Sequence, residues 1–376
     1  MRITYAEVDL SAIQYNVKQI ANRVSETVRI LGVVKANAYG HGMAPVAKAV
    51  LEAGASYLGV ALMEEGIELR SHTNIPILVF SPPLEDSLES YVRFDLDATI
   101  TSVETAYALN SVARMAHKKA RVQIKVDTGM GRLGFFPKVA LDAVRTIADL
   151  DSLSIVGVYS HFATSDEVNK EFAQRQLVAF KNIVAGVRDL GIKSALFHIA
   201  NSGAILDMPD AFFDMVRPGI MTYGYYPSLD TSESVDVKPA LTLKSSVVQM
   251  KTFQAGMSIS YGRRFFTKKN NRIAVVPIGY GDGFTRLLTS KAFVLIKGKK
   301  YPVVGTITMD HIMVDAGSDY EVQVGDEVVL IGKSGNERIT AWNIASSLGT
   351  IPYEVLCMIN NRVPRLYKSS NSNLTD

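Results

Sequence analysis

The feature that most constrains the fold of this chain is a regular alternation of short apolar runs with longer amphipathic ones. The eight short runs lie at residues 28–35, 57–61, 76–80, 96–101, 121–128, 153–161, 195–201 and 213–220, and several of them are apolar almost throughout. Strands of this kind are typical of a parallel sheet that is covered on both faces. Eight strand–helix units of this total length predict an N-terminal (β/α)8 TIM-like barrel, with a doubly wound open sheet as the structural alternative.

The pattern changes after residue 226, where a serine- and aspartate-rich stretch at 227–234 is typical of a linker. Short alternating runs separated by glycine and aspartate follow, and they predict a mainly β C-terminal domain. Residues 4–10 also have a strand pattern, and they precede the first barrel unit. We therefore expect three segments: residues 1–10 as a strand pairing with the C-terminal domain, 11–230 as the barrel, and 231–376 as the β domain.

The composition excludes several classes of function. A net charge of +3, with 20% charged residues, is too small to indicate nucleic-acid binding. The N-terminus lacks the apolar core of a signal peptide, and no apolar run is long enough to span a bilayer. Because Cys357 is the only cysteine, an internal disulfide and a metal–thiolate cluster are excluded. We expect a cytoplasmic protein without a metal, a membrane partner or a nucleic-acid partner.

Lys35 ends the first apolar run and is followed by a polar turn that contains glycine. A lysine at the end of a buried strand lies where its ammonium form is disfavoured and its amine is nucleophilic. A Schiff-base lysine requires this property. The alternative interpretation is a structural lysine whose amine extends to solvent at a strand end.

Further candidate residues lie at the ends of other strand-like runs, where barrel enzymes carry their chemistry. Lys125 and Asp127 lie near the end of the fifth run, with Arg132 beyond it, and His161 ends the sixth. The seventh runs into His198, Asn201 and Ser202, and the eighth ends in Arg217, Gly219 and Ile220. The loops after strands seven and eight often bind phosphate in barrels. A Schiff-base lysine combined with a phosphate site favours pyridoxal 5′-phosphate (PLP) as cofactor.

One competing motif is the glycine pattern Gly129-x-Gly131-x-x-Gly134, which matches the dinucleotide-binding fingerprint. Arg132 lies inside it, and no helix pattern begins before about Pro137. A single match without the following helix is a weak indication, so the dinucleotide interpretation is the less favoured one.

Several motifs in both domains are similar to those of bacterial alanine racemases. They are VKANAYGHG at 34–42, KVDTGMGRLG at 125–134, SHF at 160–162, ANS at 200–202, RPG at 217–219, SYG at 260–262, GY at 279–280, MD at 309–310, PYE at 352–354 and RVPR at 362–365. The chain thus resembles this family over nearly its whole length. The resemblance implies a PLP-dependent isomerase that interconverts L- and D-alanine, built as a homodimer with shared active sites and serving peptidoglycan synthesis.

The resemblance also implies roles for individual residues. Lys35 would hold PLP and act as the base on one face of the substrate carbon, with Tyr261 from the partner subunit as the base on the other face. Since a tyrosine is ordinarily protonated at neutral pH, His161 and Arg217 would support it. Arg217 would also contact the pyridine nitrogen, and Arg132 the cofactor phenolic oxygen and the substrate carboxylate.

The remaining matched positions concern phosphate, substrate and a modification. Lys125 matches a position that is often carbamylated. Phosphate-binding positions match Tyr39, Ser202, Gly219, Ile220 and Tyr353. Met309 and Asp310 match the substrate-carboxylate side, and Tyr280 matches the entry corridor. Thr308 departs from many relatives, which have cysteine there, and this leaves the substrate range open.

Three alternatives to alanine racemisation follow from the same motifs. A serine or broad-specificity racemase would differ only around Thr308, Met309 and Tyr353. A PLP-dependent amino-acid decarboxylase of the same architecture carries a cysteine motif in its second domain, and Cys357 lies in no such motif. PLP-carrier proteins are single barrels, and the predicted second domain argues against that class.

Overall fold

The computed structural model describes residues 2–369 and 372–375, so residues 1, 370, 371 and 376 of the predicted domains lie outside the described residues. The chain divides into two compact units. The first, called the barrel unit, comprises Ala12–Ala38 and Met43–Pro239. The second, called the β unit, contains the residues up to Ser11, the segment Tyr39–Gly42 and the chain from Ala240 onward. The chain therefore passes between the units four times.

The barrel unit is built on eight parallel strands that follow an N-terminal strand, β1 (Tyr5–Asp9). The eight strands are β2 (Arg29–Val33), β3 (Tyr57–Val60), β4 (Ile77–Val79), β5 (Asp97–Ile100), β6 (Ala120–Lys125), β7 (Leu153–Tyr159), β8 (Leu196–His198) and β9 (Met215–Val216). Their order in the sheet is β8-β7-β6-β5-β4-β3-β2-β9, with every paired neighbour parallel.

The seam between β8 and β9 is bridged by backbone hydrogen bonds. The N–H of Asp214 donates to the Phe197 carbonyl at 3.0 Å, and that of Arg217 donates to the Ala200 carbonyl at 2.9 Å. The sheet thus comes close to closing on itself, which confirms the barrel and excludes the open doubly wound sheet.

Helices alternate with the barrel strands and bury their apolar faces. They are α1 (Leu10–Arg23), α2 (Met43–Glu52), α3 (Met63–Arg70), α4 (Leu88–Arg93), α5 (Val103–Met115), α6 (Pro137–Ala148), α7 (Glu171–Asp189) and α8 (Ser202–Asp207). In α6, Ala140, Val144 and Ile147 are buried at helical spacing. Ser102 begins α5 by accepting a hydrogen bond from the Thr105 N–H. No helix in the described part of the chain is long and apolar enough to cross a membrane.

The interior of the barrel contains a polar row along β6. Arg121, Gln123 and Lys125 alternate with the apolar Val122 and Ile124, so their side chains lie on one face of the strand. Gln123 and Lys125 are buried. Buried polar side chains need hydrogen-bond partners, and this row therefore organises the interior of the barrel.

The β unit is mainly β-structure, as predicted. Its strands from Leu241 onward are β10 (Leu241–Ser246), β11 (Gln249–Phe253), β12 (Ser258–Ile259), β13 (Phe265–Phe266), β14 (Asn271–Val276), β15 (Phe293–Ile296), β16 (Lys299–Val304), β17 (Ile312–Gly317), β18 (Glu327–Ser334), β19 (Glu337–Ile339), β20 (Arg365–Ser369) and β21 (Ser372–Thr375). The main sheet has the order β11-β14-β17-β16-β15-β18-β10-β1-β20-β21, with β19 paired to β18, and β12 and β13 form a separate hairpin. Two helices complete the unit, α9 (Ala341–Leu348) and α10 (Pro352–Met358).

Strand β1 lies inside this sheet and not in the barrel. It pairs antiparallel with β10, with Tyr5 opposite Lys244, and parallel with β20, with Ala6 opposite Arg365. Ala6 and Val8 are fully buried, as expected for a central strand with one face on the core.

Candidate active site

Lys35 opens a left-handed turn directly after strand β2. Ala36, Asn37 and Ala38 have φ values of 54°, 53° and 53°. For residues other than glycine this backbone costs about 1–2 kcal/mol each, so neighbouring groups must hold it in place. The Ala36 N–H donates to Glu65 Oε1 at 2.6 Å, and the Met43 N–H donates to Asn37 Oδ1 at 2.9 Å. Strained backbone of this kind is found preferentially at functional sites.

Lys35 lies beside an aromatic ring of the barrel unit. Its Nζ lies 6.0 Å from the centre of the Phe80 ring, and the side chain is half-buried. The preceding backbone is fixed by the Tyr223 hydroxyl, which donates to the Val33 carbonyl at 2.8 Å. The turn therefore holds a lysine amine at the carboxyl end of the first barrel strand, where the sequence predicted it.

Arg217 follows strand β9 and is buried, with acceptors on every side. Its guanidinium donates to His198 Nδ1 at 2.7 Å, to His161 Nδ1 at 3.1 Å, and to the carbonyls of Ser160 and Ile199 at 2.7 and 3.1 Å. Arginine nitrogens only donate. Both imidazoles therefore present a lone pair to Arg217 and are neutral.

The charges around the two histidines support the same assignment. Burial, followed by the charge of Arg217, holds the pKa of His161 and of His198 well below the ordinary histidine value. Burial lowers the pKa of Arg217 itself to about 10, so the guanidinium stays protonated at neutral pH. His161 can accordingly act as a neutral hydrogen-bonding group and not as a cation.

Lys125 is the last residue of β6 and carries a buried amine. Its Nζ donates to the Val126 carbonyl at 3.2 Å and lies 5.0 Å from the centre of the Tyr159 ring. Burial, and then the positive charges of Arg217 and Arg132, lower the pKa of Lys125 to about 7. The neutral, nucleophilic form of this amine is therefore far more accessible at neutral pH than that of an ordinary lysine.

The loop after β6 is organised by Asp127. Its carboxylate accepts the N–H groups of Gly129, Gly131 and Arg132 at 2.9, 3.1 and 3.0 Å. Burial by itself would raise the pKa of Asp127, but these three donors hold it below its ordinary value. The glycine pattern thus forms a tight turn around a carboxylate that presents Arg132 at the exposed end. This arrangement does not fit dinucleotide binding, which needs a helix start at this point.

Ser202 and the segment after β9 form a compact cradle. Ser202 Oγ accepts the Gly219 N–H at 3.0 Å and the Met221 N–H at 3.5 Å. Gly203 lies so close to a neighbouring loop that a Cβ there would be 2.9 Å from the Ser165 carbonyl oxygen. The Ser202 hydroxyl therefore orders the backbone after β9, and glycine at 203 allows the neighbouring loop to pack closely against α8.

Tyr261 in the β unit lies on a second strained turn. Ser260 has φ 65° and Gly262 has φ 70°. Thr306 holds the turn at two points, because its carbonyl accepts from Ser260 Oγ at 2.6 Å and its Oγ1 donates to the Tyr261 carbonyl at 2.8 Å. The Tyr261 side chain is 73% exposed.

Tyr280, Met309 and Asp310 are brought together within the β unit. The Tyr280 N–H donates to the Thr308 carbonyl at 3.1 Å, and the Gly281 N–H donates to the Met309 carbonyl at 2.9 Å. Asp310 is fixed by Arg362, whose guanidinium donates to its carboxylate at 2.7 Å.

Tyr39 and Tyr353 form another pair in the β unit, with ring centres 5.9 Å apart and planes tilted by 48°. Burial raises the pKa of Tyr39 well above its ordinary value, so its hydroxyl remains a hydrogen-bond donor at neutral pH.

The barrel unit thus concentrates positive groups around His161, since Arg217, Lys125, Arg132 and Lys35 all act to lower its pKa. His198 was recognised at a strand end in the sequence but was not included in the predicted site. Two further site residues were missed altogether. Gln123 bonds to His198 Nε2 at 2.8 Å, and the Tyr159 ring stacks on the His198 imidazole with 5.0 Å between centres. The available signal was the polar Gln123 two positions before Lys125.

No group of three or more histidine, cysteine, aspartate or glutamate side chains within residues 2–369 is arranged to hold a metal ion.

Comparison with known proteins identifies the family. The model of the alanine racemase N-terminal domain matches residues 8–227, and that of the alanine racemase C-terminal domain matches residues 240–367. An alanine racemase of Halothermothrix orenii is 43% identical over 369 residues, covering 98% of this chain and 97% of the relative. The solved alanine racemase of Clostridium difficile 630 superposes with a TM-score of 0.95 at 41% identity, covering 99% of this chain and 97% of the other.

A third similar structure is that of Bartonella henselae alanine racemase, which is described with covalently bound pyridoxal phosphate. It has a TM-score of 0.88 at 31% identity and covers 98% of this chain and 100% of the other. Both family models together match most of the chain, and the relatives are aligned from end to end. The chain therefore belongs to the alanine racemase family and is an amino-acid racemase.

Proposed function

We propose that this protein interconverts L- and D-alanine by a two-base mechanism, with PLP held at the carboxyl end of the barrel by Lys35. The observation that carries the proposal is Arg217, a buried cation whose guanidinium donates hydrogen bonds to two neutral imidazoles and two carbonyls and lies over the Tyr159 ring. Because these hydrogen-bond acceptors are neutral, they do not offset the positive charge of the guanidinium at the centre of the site.

The residues present fit PLP by their chemistry. Lys35 offers an amine beside the Phe80 ring, and Ser202 carries a hydroxyl next to the backbone after β9, where the N–H groups of Gly219 and Met221 would turn from Ser202 to a bound phosphate. Tyr39, Gly219, Ile220 and Tyr353 are the further phosphate contacts that we propose. PLP, when bound, supplies an electron sink that makes the α-hydrogen of an amino acid acidic.

Arg217 sets how strong that sink is. The guanidinium would donate to the ring nitrogen, and because it remains protonated it gives up no proton to the ring. Its burial among acceptors fixes both its position and its charge. An unprotonated ring is a weaker sink, which restrains side reactions such as transamination.

Lys125 and Arg132 form the carboxylate-binding part of the proposal. The neutral Lys125 amine would attack carbon dioxide, forming a nitrogen–carbon bond and releasing one proton to give a carbamate. In the unmodified chain the charges of Lys125 and Arg132 repel each other. A carbamate would turn this repulsion into attraction and would orient Arg132 toward the substrate carboxylate and the cofactor phenolic oxygen.

Racemisation requires a proton to leave one face of the α-carbon and another to arrive on the opposite face. Lys35 would serve one face. Tyr261 of the partner subunit would serve the other, with neutral His161 as its hydrogen-bonding support. The exposure of Tyr261, at 73%, supports a side chain that finds its surroundings in a second copy of the chain. Met309 and Asp310 would then lie on the substrate-carboxylate side, and Tyr280 at the entry.

The shared site is tested by subunit mixing. Lys35→Ala and Tyr261→Phe homodimers should each be inactive, whereas their mixture under subunit exchange should regain activity, because one site of each heterodimer contains both bases. Mixing that restores nothing would show that the two bases do not come from different subunits.

The substrate is tested by chiral analysis of a small panel of L-amino acids with PLP. We expect D-alanine to be formed fastest. Efficient D-serine formation with little D-alanine would favour the serine racemase alternative, and release of carbon dioxide with an amine product would favour a decarboxylase. Restored growth of a D-alanine-requiring bacterium by this chain would support a role in peptidoglycan synthesis.

A further inference from the structure

A continuous hydrogen-bonded column runs inside the barrel from Arg217 to its opposite end. His198 lies next to Arg217, and its Nε2 is 2.8 Å from Gln123 Oε1. The other end of the Gln123 amide donates to Asp97 Oδ2 at 2.8 Å and to the Tyr57 hydroxyl at 3.1 Å. Except for Arg217, which is 4% exposed, these side chains are buried with 0–1% exposure.

The column ends in a cluster at the amino-terminal ends of the strands. Asp97 and Tyr57 are the first residues of β5 and β3. Arg121 Nε donates to Asp97 Oδ1 at 2.6 Å, another of its nitrogens donates to the Tyr57 hydroxyl at 2.9 Å, and Tyr57 in turn donates to Asp97. Burial raises the pKa of Tyr57 far above its ordinary value, so its hydroxyl keeps its proton. We call Tyr57, Asp97 and Arg121 the basal cluster.

The direction of every hydrogen bond in the column is determined by its two ends. Asp97 accepts only and Arg217 donates only. The Gln123 –NH2 group must therefore face Asp97, which leaves Oε1 facing His198. That oxygen requires a proton on His198 Nε2, and Nδ1 is then the lone pair that accepts from Arg217. With the Gln123 amide reversed, its –NH2 group would face His198 Nε2 and its oxygen would face the Asp97 carboxylate, where two acceptors repel each other.

We propose that the basal cluster is a positioning device for Arg217. It fixes the direction of the Gln123 amide, the amide fixes the tautomer of His198, and the tautomer keeps an acceptor in front of the Arg217 guanidinium. Gln123 and the basal cluster do not touch the reacting groups, so they act through Arg217 alone. The consequence for catalysis rests on the proposed function, because it assumes that Arg217 faces the cofactor ring nitrogen.

The column also explains why buried polar residues are present in an otherwise apolar barrel. A half-satisfied polar network is worse for stability than an apolar core, whereas a fully satisfied one specifies a single arrangement. Each of the side-chain groups from Arg217 to Arg121 has a partner in the column. The network therefore links Arg121, which is 31% exposed, to Arg217 at the centre of the site, and each side chain in it fixes the orientation of the next.

The test is the tautomer of His198 in the full-length holoenzyme labelled with ¹⁵N in its histidine rings, with the signal assigned by loss in His198→Asn. We expect a neutral ring with the proton on Nε2. Gln123→Met keeps the shape of the side chain but removes the acceptor, so the Nε2 signal should shift and its proton should exchange faster with water. Asp97→Asn should give a mixture of both tautomers, because either end of Gln123 can then face the basal cluster.

Asn16→Leu is the matched control. Asn16 is an equally buried amide of the barrel unit, and it bonds to the backbone of Thr222 and Lys238 outside the column. Its removal should destabilise the fold without changing the His198 signals. A ring protonated on Nδ1 in the unmodified protein, or His198 signals in Gln123→Met and Asp97→Asn that match those of Asn16→Leu, would overturn the proposal.

A second measurement separates this inference from the proposed function. In Gln123→Met we expect kcat/KM for racemisation to fall roughly tenfold, as for other residues that orient a functional side chain, and transamination per racemisation to rise. Asn16→Leu should keep the ratio of the two reactions. If the unmodified protein does not racemise alanine, the proposed function is wrong. The His198 tautomer still tests the positioning role of the basal cluster, because that measurement does not depend on activity.

Discussion

Two strained turns, one in each unit, present the residues that we propose as the two bases, and their surroundings differ. Lys35 precedes a left-handed turn at Ala36 to Ala38, and the barrel unit places it beside Phe80 and among the positive groups that act on His161. Tyr261 lies on a turn that Thr306 fixes by hydrogen bonds, and the Tyr261 side chain is 73% exposed. The first turn places Lys35 among other side chains of its own unit, whereas the second directs Tyr261 to the surface of its unit.

The difference shows what each unit contributes. The barrel unit provides charge, desolvation and fixed hydrogen-bond directions, which are the properties that tune a pKa. The β unit provides only a position, since an exposed side chain gains little from its own unit. A residue held so firmly yet so exposed is suited to complete a site on another copy of the chain, as the proposed function requires.

We expect the largest effect on activity when each of the two proposed bases is removed separately. Lys35→Ala and Tyr261→Phe should each lower racemisation by roughly 10³-fold or more, since groups that act as a unit are each indispensable. Tyr261→Phe should nevertheless still exchange the α-hydrogen of one alanine enantiomer with deuterium oxide, because Lys35 serves that face. The control is Tyr320→Phe, which changes another exposed tyrosine of the β unit and should keep full activity. Exchange of neither enantiomer in Tyr261→Phe would contradict the division of faces.

A smaller effect concerns the desolvation that only the barrel unit provides. The pKa of Lys125 is about 7 in the folded chain and near its ordinary value of 10.5 when unfolded. Between these values the unfolded state binds the additional proton, so the stability due to this group rises with pH. Lys125→Met should therefore be more stable than the unmodified chain below pH 7, and the difference should shrink toward pH 10.5. Urea unfolding in carbon dioxide-free buffer measures this, and a pH-independent difference would contradict it.

The same lysine gives a prediction for modification. Bicarbonate should increase the activity of carbon dioxide-depleted enzyme, and intact mass spectrometry should detect the mass of one added carbon dioxide. Lys125→Met should show neither response.

The smallest effect concerns the strain of the two turns. Ala36→Gly should stabilise the protein by about 0.5–1 kcal/mol, because glycine relieves the left-handed backbone but costs chain entropy. Gly262→Ala should destabilise it by about 1 kcal/mol through the backbone alone, since its Cβ would lie 3.5 Å or more from its neighbours. Thermal unfolding measures both, and equal and negligible shifts would show that neither turn is strained.

Much of the fold could be predicted from the sequence, because apolar runs identify strands that are covered on both faces. All eight barrel strands lie within the predicted runs apart from one residue at the start of β6, but the strands are shorter, and the eighth is only Met215–Val216. Pro218 has no N–H to donate to a ladder, and Arg217 turns to its side-chain partners. The positions of Lys35, Lys125, His161 and Arg217 followed from the same strand ends.

Two features could not be predicted, for physical reasons. Alanine favours ordinary helix, so nothing local in Ala36 and Ala38 indicates a left-handed turn, which depends on acceptors such as Glu65 far along the chain. The bond between Gln123 and His198 joins residues 75 positions apart. The direction of this hydrogen bond depends on Asp97 and Arg217 at the two ends of the column. A sequence pattern does not show that these residues are connected.

The position of β1 has a consequence for synthesis. Its five residues are synthesised long before both of their partners, β10 and β20, which come from beyond residue 240. At typical translation rates the wait between Ala6 and Arg365 is roughly 20–70 s, during which neither edge of β1 has its sheet partner. Nascent chains of this protein should therefore depend on chaperones that shield an N-terminal segment, and moving β1 to the carboxyl end by circular permutation should reduce that dependence.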